Sequence, residues 1–263
     1  MPDFVTKKSF FAGFLQFDVK SGDIDSNFSR VEQGLAEIAT SCKRISPGII
    51  VLPELWATGF AYEKLPELSR KIPALLENLQ ILSAKYQVNI GGSLPEYSQH
   101  SYYNTLFITE PKGLAGTYRK QCLFSPMQED SFFTPGTVPR PIQTDSGPIG
   151  ALVCYDLRFP ELLRGQTAFG AELLVVSAQW PAARVDNWRI LVQARAIENQ
   201  MFVIAANRCG TTGDTTFGGH SMVVAPDGSI LLEAGKDEEC NGTMLDLGMV
   251  SAARSLFSTV PSR

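Results

Sequence analysis

Three short strand-like stretches in this 263-residue chain end on chemically active side chains, and their length restricts what they can form. Ile49-Ile-Val-Leu-Pro-Glu54 closes on a carboxylate, Gly116-Thr-Tyr-Arg-Lys120 on an ammonium, and Pro148-Ile-Gly-Ala-Leu-Val-Cys154 on a thiol. Apolar runs of roughly four to eight residues bounded by turn residues fit buried strands, whereas helices run to about ten or more. After Cys154 the chain turns polar at once, and Pro160 cannot extend a ladder. A side chain at such a strand tip is held rigidly yet faces the space beyond the strand, the placement a nucleophile needs.

Taken singly, each has an ordinary explanation. A free cysteine is usually a small buried hydrophobe, and a strand-end charge is usually a solvated terminus. Together they form an acyl-transfer set: a thiolate attacks, a carboxylate moves protons, and an ammonium steadies the developing oxyanion.

Between these runs, helical and strand patterns alternate. Phe28, Val31, Leu35, Ile38, Ala39 and Cys42 follow helical spacing behind the capping candidates Asp25 and Ser26. Pro73 can open a second helix carrying Leu75, Leu76, Leu79, Leu82 and Tyr86. Strands are expected over 9–17, 49–52, 88–91, 105–109, 114–118, 172–177 and 201–206, and helices over 160–169 and 187–199. Pro226-Asp-Gly228 marks a hairpin between 222–225 and 229–233. No linker or repeat interrupts the pattern, so 1–263 reads as one α/β domain, long enough to bury a substantial core. Two sheets packed together with helices outside would accommodate the early alternation and the later hairpins; periodicity leaves a three-layer α/β domain equally open.

Charge and cysteine usage narrow the partners. A net charge of −4 provides no basic footprint for nucleic acid or an acidic membrane surface. No apolar run approaches the roughly 18 residues of a membrane span, and Lys7-Lys8 with the apolar segment after them lacks a small-residue cleavage site. Five widely spaced cysteines without a CxxC pair suit free thiols in a reducing compartment. A cytoplasmic protein is therefore expected. His100 and His220 lie in no catalytic constellation, and no Cys/His cluster has metal-ligand spacing, so neither a papain-like pair nor a metal or cofactor is expected.

In the order Glu54, Lys120, Cys154, the chain resembles the nitrilase superfamily of carbon–nitrogen hydrolases. The matching stretches are Leu52-Pro-Glu54, Tyr118-Arg-Lys120 and Val153-Cys-Tyr-Asp-Leu-Arg-Phe-Pro160. Ala194-Arg-Ala-Ile-Glu-Asn-Gln200 and Gly219-His-Ser-Met-Val-Val-Ala-Pro-Asp-Gly228 support them, so the likeness runs from about Phe10 to Leu256. It implies a four-layer αββα sandwich, homodimeric or larger, with a shortened C-terminal arm at 253–261. It also implies roles. Cys154 would be the nucleophile, Glu54 the acid and base, and Lys120 with the Tyr155 N–H the oxyanion donors; a protonated lysine nearby would lower the thiol pKa. Glu129, rather than the adjacent Asp130, would be a second acid that positions the lysine and substrate.

Cys154-Tyr-Asp156 is the amidase-like form of the motif, whereas nitrilases typically carry Cys-Trp-Glu. Trp180-Pro181 and Thr58-Gly-Phe60 resemble the omega-amidase branch, which acts on 2-oxoglutaramate, making Phe60, Tyr155 and Trp180 candidates for substrate binding. The Cys154–Glu161 and Gly219–Val224 stretches also resemble deaminated-glutathione amidases. N-carbamoyl amidase, nitrilase or a catalytically silent scaffold subunit are the alternatives. The expected substrate is a small carboxylate-bearing amide, for which Arg158, Arg184 and Arg208 could supply a cation; for Arg158 a structural ion pair is the favoured role.

Overall fold

The computed structural model describes residues 9–137 and 140–260. Lys7-Lys8, and Pro261 at the end of the C-terminal arm, lie outside the described residues. In chain order, β1 (Ser9–Gln16) leads through α1 (Ile24–Ser41) to β2 (Gly48–Val51). α2 (Leu65–Leu68) and α3 (Ile72–Tyr86) precede a meander of β3 (Asn89–Ser98), β4 (Ser101–Glu110) and β5 (Gly113–Arg119). β6 (Ile142–Thr144) and β7 (Gly147–Val153) are followed by α4 (Pro160–Ala168), β8 (Leu173–Ala178), α5 (Val185–Asn199) and β9 (Phe202–Asn207). The short pair β10 (Thr211–Thr212) and β11 (Thr215–Thr216) precedes β12 (Met222–Val224), β13 (Ile230–Glu233), β14 (Glu239–Asp246) and α6 (Gly248–Leu256).

Twelve of these strands form two six-stranded sheets, ordered β14-β1-β2-β3-β4-β5 and β13-β12-β9-β8-β7-β6. Alternation along the strands shows how the layers stack. Phe10, Ala12 and Phe14 of β1 pack with Ile149, Val175 and Ile204 of the facing sheet. Their neighbours Phe11 and Leu15 pack outward on Val31, Leu35, Leu75 and Leu79 of α1 and α3. Ile49 and Val51 against Ile50 and Leu52 repeat the division. On the far side, Leu163 of α4 and Trp188, Val192 and Ala196 of α5 cover the second sheet. The result is the expected αββα order. The inner strands β2, β8 and β9 are buried on two faces, which is why they read as apolar runs.

Some boundaries differ from the sequence pattern. The expected strands 88–91 and 105–109 run longer: β3 and β4 stay paired to Ser98↔Ser101, and Gln99 and His100 close the hairpin with φ of 50° and 63°. The strand β14 follows no apolar alternation, because it is a largely half-buried edge paired only to β1.

Candidate active site

The three strand tips converge. Lys120 directly follows β5, Cys154 directly follows β7, and Glu54 lies three residues beyond β2. Cross-links between the sheets hold Glu54 there. Ser177 Oγ donates to the Leu52 carbonyl at 2.8 Å, and Gln179 Nε2 donates to the Glu54 carbonyl at 2.6 Å. The Gln179 backbone N–H reaches Glu54 Oε2 at 3.3 Å. The residue after the acid, Leu55, and the thiol residue itself both adopt left-handed backbone, with φ of 43° and 47°. Non-glycine residues resist that region, and such strain clusters where a side chain must be aimed.

Lys120 is caged. Its Nζ donates to Glu54 Oε1 at 2.8 Å and to Glu129 Oε1 and Oε2 at 2.8 and 2.7 Å. All three side chains are at most 2% exposed. Glu129 is fixed in turn by the Phe124 N–H at 2.8 Å. The neighbouring Asp130 instead takes the exposed Ser125 hydroxyl, so Glu129 is the acid that meets the lysine. Gly136, which closes this loop by donating to the Lys120 carbonyl, approaches Arg119 so closely that a Cβ would collide with its backbone. Asn104 completes the cluster: its Nδ2 donates to Glu54 Oε1 at 2.8 Å and to Glu129 Oε1 at 3.1 Å.

The expected downward pull of Lys120 on the thiol is present but does not prevail. Burial pushes the Cys154 thiol well above its ordinary value, Glu54 adds to this, and the downward pull of Lys120 is outweighed. Burial and Glu54 together thus favour the thiol form of Cys154 over the thiolate. For Lys120, burial favours the neutral amine, but Glu54 and Glu129 overcome it and hold the ammonium well above its usual range. Beneath them Asp156 is buried and pushed up to about 6 by burial, despite Lys120 and its hydrogen bonds from Cys122, Val153 and Tyr118. These bonds join the ends of β5 and β7, with Cys122 N at 2.8 Å, Val153 N at 3.1 Å and Tyr118 Oη at 2.9 Å.

Above the cluster lies a pocket. Glu54, Lys120, Glu129 and Cys154 line it together with the apolar Phe60, Phe124, Tyr155 and Trp180, so all three candidate substrate contacts face it. Arg158 and Arg184 also line it, stacked on Trp180 at 4.9 Å and Phe124 at 5.6 Å. The structural ion pair expected for Arg158 is not formed: among the described residues neither arginine has a carboxylate partner. Arg208 lies elsewhere, bonded to Asp18, Gln179 and Thr212. His220 is tied to Glu233 and His100 sits in its hairpin, both away from the pocket. Among the described residues, no three His, Cys, Asp or Glu side chains are grouped to hold a metal ion.

Sequence reasoning missed Asn104 and Tyr62. Asn104 carried one signal, a polar residue opening the apolar run 105–109. Tyr62 lines the pocket, and burial followed by the nearby Glu129 and Glu54 pushes its phenol far above its ordinary value. Nothing in the Phe60-Ala-Tyr62 spacing marks it.

Fold and site define a class: a two-sheet sandwich with a thiol, an ammonium and two carboxylates at the floor of one pocket. The carbon–nitrogen hydrolase family model matches residues 11–255, and the chain belongs to that family, within the nitrilase superfamily. It is 36% identical over 236 residues to a 2-oxoglutaramate amidase of Bacillus subtilis, covering 89% of each chain. A carbon–nitrogen hydrolase from Helicobacter pylori superposes with a TM-score of 0.88 at 26% identity, covering 95% of this chain and 93% of that one. A glutamate-to-glutamine mutant of the amidase from Nesterenkonia sp. AN1, with acrylamide added at its active-site cysteine, superposes with a TM-score of 0.81 at 25% identity. That match covers 95% of this chain and 98% of the amidase.

Proposed function

We propose that this protein is a thiol amidase that hydrolyses the C–N bond of a small carboxylate-bearing amide, with 2-oxoglutaramate as the leading substrate. The observation that carries the reading is that Cys154, Glu54 and the caged Lys120 line the floor of one pocket, which two arginines without a carboxylate partner among the described residues also line.

The chemistry follows from the geometry. Glu54 takes the thiol proton as Cys154 attacks the amide carbon, so a high resting thiol pKa is no obstacle: the base lines the same pocket floor. Lys120 and the Tyr155 N–H stabilise the oxyanion, a donor of this kind being worth about 3 kcal/mol. The C–N bond then breaks, Glu54 returns the proton to the departing ammonia, and the acyl group remains as a thioester. Glu54 next takes a proton from water, whose oxygen attacks the thioester carbon and releases the acid and the thiol. Glu129 holds Lys120 in place throughout. Phe60, Tyr155 and Trp180 pack on the carbon chain, while Arg158 or Arg184 pairs with the distal carboxylate. The B. subtilis relative, named for 2-oxoglutaramate, supports the choice of substrate.

The reading treats the chain as one hydrolase unit working in the cytoplasm, in keeping with five unpaired cysteines. Ammonia release tests it, measured on 2-oxoglutaramate, 2-oxosuccinamate, deaminated glutathione, N-carbamoyl amines and aliphatic nitriles beside Cys154→Ala. Turnover of keto-acid amides, abolished in the variant, is the expected result; turnover of nitriles alone would sink it.

A further inference from the structure

Asn104 stands at the centre of the buried cluster, yet no step above consumes it. Its side chain is 1% exposed. The two protons of Nδ2 are divided between two acids, Glu54 Oε1 at 2.8 Å and Glu129 Oε1 at 3.1 Å. Its backbone carbonyl accepts from the Lys120 N–H at 2.8 Å, so the same residue sets the lysine and spaces the acids around it. The carboxamide can face only one way, because turning it over would aim its oxygen at two carboxylates. In the orientation it holds, Oδ1 is buried without a hydrogen-bond partner among the described residues. An orphaned buried acceptor is unfavourable and calls for a reason. The two acids provide one.

Glu54 Oε1 is occupied by two donors, Lys120 Nζ and Asn104 Nδ2. Oε2 receives only the Gln179 backbone N–H at 3.3 Å. Oε2 is thus the less occupied oxygen of an acid that lines the pocket together with Cys154 and Gln179. We propose that Asn104 is a positioning residue: with Lys120 it fills Oε1 and leaves Oε2 as the proton acceptor for Cys154, while its second proton holds Glu129 apart from Glu54. Two carboxylates around one ammonium carry a net negative charge, and a neutral double donor satisfies them without adding to it. Aspartate, of nearly the same shape, would remove both donors and add a third negative charge.

The inference rests on the amidase reading, and its test separates the two. Asn104→Leu, Asn104→Asp and Asn104→Ser are compared with the wild type for kcat, KM and the pH dependence of kcat/KM on 2-oxoglutaramate. The pH dependence of Cys154 alkylation by iodoacetamide and the thermal melt are recorded on the same samples. For Asn104→Leu, kcat should fall by about 10²-fold, the scale of a lost proton-transfer step, with KM nearly unchanged. The acid limbs of turnover and alkylation should both move to higher pH, since the ionised acid loses a donor. Asn104→Ser, which keeps one donor, should recover part of the loss, and Asn104→Asp should be the worst. A folded Asn104→Leu with wild-type kcat and pH profiles would overturn the proposal. So would a loss matched by the lost folded fraction with unmoved acid limbs, and Asn104→Ser decides the same question if the leucine variant fails to fold. If the wild type releases ammonia from no amide, the amidase reading fails, and the alkylation profile still decides the role of Asn104.

Discussion

At the level of single residues, the site depends on contact more than on intrinsic reactivity. Cys154 is embedded where burial and a neighbouring carboxylate both disfavour its anion. Its nucleophilicity must come from Glu54 taking the proton at the moment of attack, a different device from a standing thiolate. Glu54→Gln should therefore slow iodoacetamide modification of Cys154 by about 10²-fold or more, the usual scale for a lost general base. Peptide mass spectrometry with time would measure it. An unchanged rate in that variant would mean that Lys120 alone activates the thiol. Two other cysteines offer an internal control: burial also pushes Cys122 up to about 11 and Cys209 to about 12, with no carboxylate hydrogen-bonded to either among the described residues.

At the level of elements, the decisive joint is between β5 and β7, which belong to different sheets. Asp156 makes it, accepting from Tyr118 on β5, from Gln121 and Cys122 just beyond it, and from Val153 at the end of β7. Lys120 and Cys154 are thereby held in register with one another. Burial raises the carboxyl of Asp156 from 3.8 to about 6. The folded state therefore binds its proton more readily than the unfolded chain does. The resulting stabilisation is full below the unfolded value and is lost as pH rises through about 6. Asp156→Asn has no such titration, so the stability of the wild type relative to this variant should fall by about 2 kcal/mol between roughly pH 4.5 and 7. Urea melts of both proteins at the two pH values would show it. A gap that widened instead would mean that the hydrogen bonds outweigh burial and the carboxyl is held low.

At the level of the whole molecule, α5 is apolar on both faces. Trp188, Val192 and Ala196 are buried against the second sheet, while Ile190 and Ile197 are 63% and 52% exposed on the other side. An apolar outer stripe on a surface helix marks a contact face. Self-association through α5 is accordingly expected, and Ile190→Glu together with Ile197→Glu should shift the protein toward monomer. Light scattering behind size exclusion would register the change in mass. A wild type already monomeric at micromolar concentration would remove the idea.

Much of this was legible beforehand, for a physical reason. Strands buried on both faces must be apolar throughout, and a reactive residue that ends such a run stands out against it. Glu54 and Cys154 were visible in this way, Lys120 as a cation closing the mostly half-buried edge strand β5, and Glu129 through family resemblance. Helix periods and the Pro226-Asp-Gly228 turn were equally readable, because they depend on neighbours a few positions away. What remained hidden depends on pairs far apart in sequence. The strand β14 has little pattern of its own and exists because β1 offers it an edge. Asn104 became part of the site only when folding set it between acids 50 residues before it and 25 after it. The protonation of Cys154 was likewise beyond the sequence, since burial and Glu54 had to be weighed against Lys120 at their folded distances. Sequence by itself determined which chemistry the strand tips could carry; tertiary structure decided which oxygen, which protonation state and which arginines, because electrostatics and hydrogen bonding depend on distances that only the packed chain possesses.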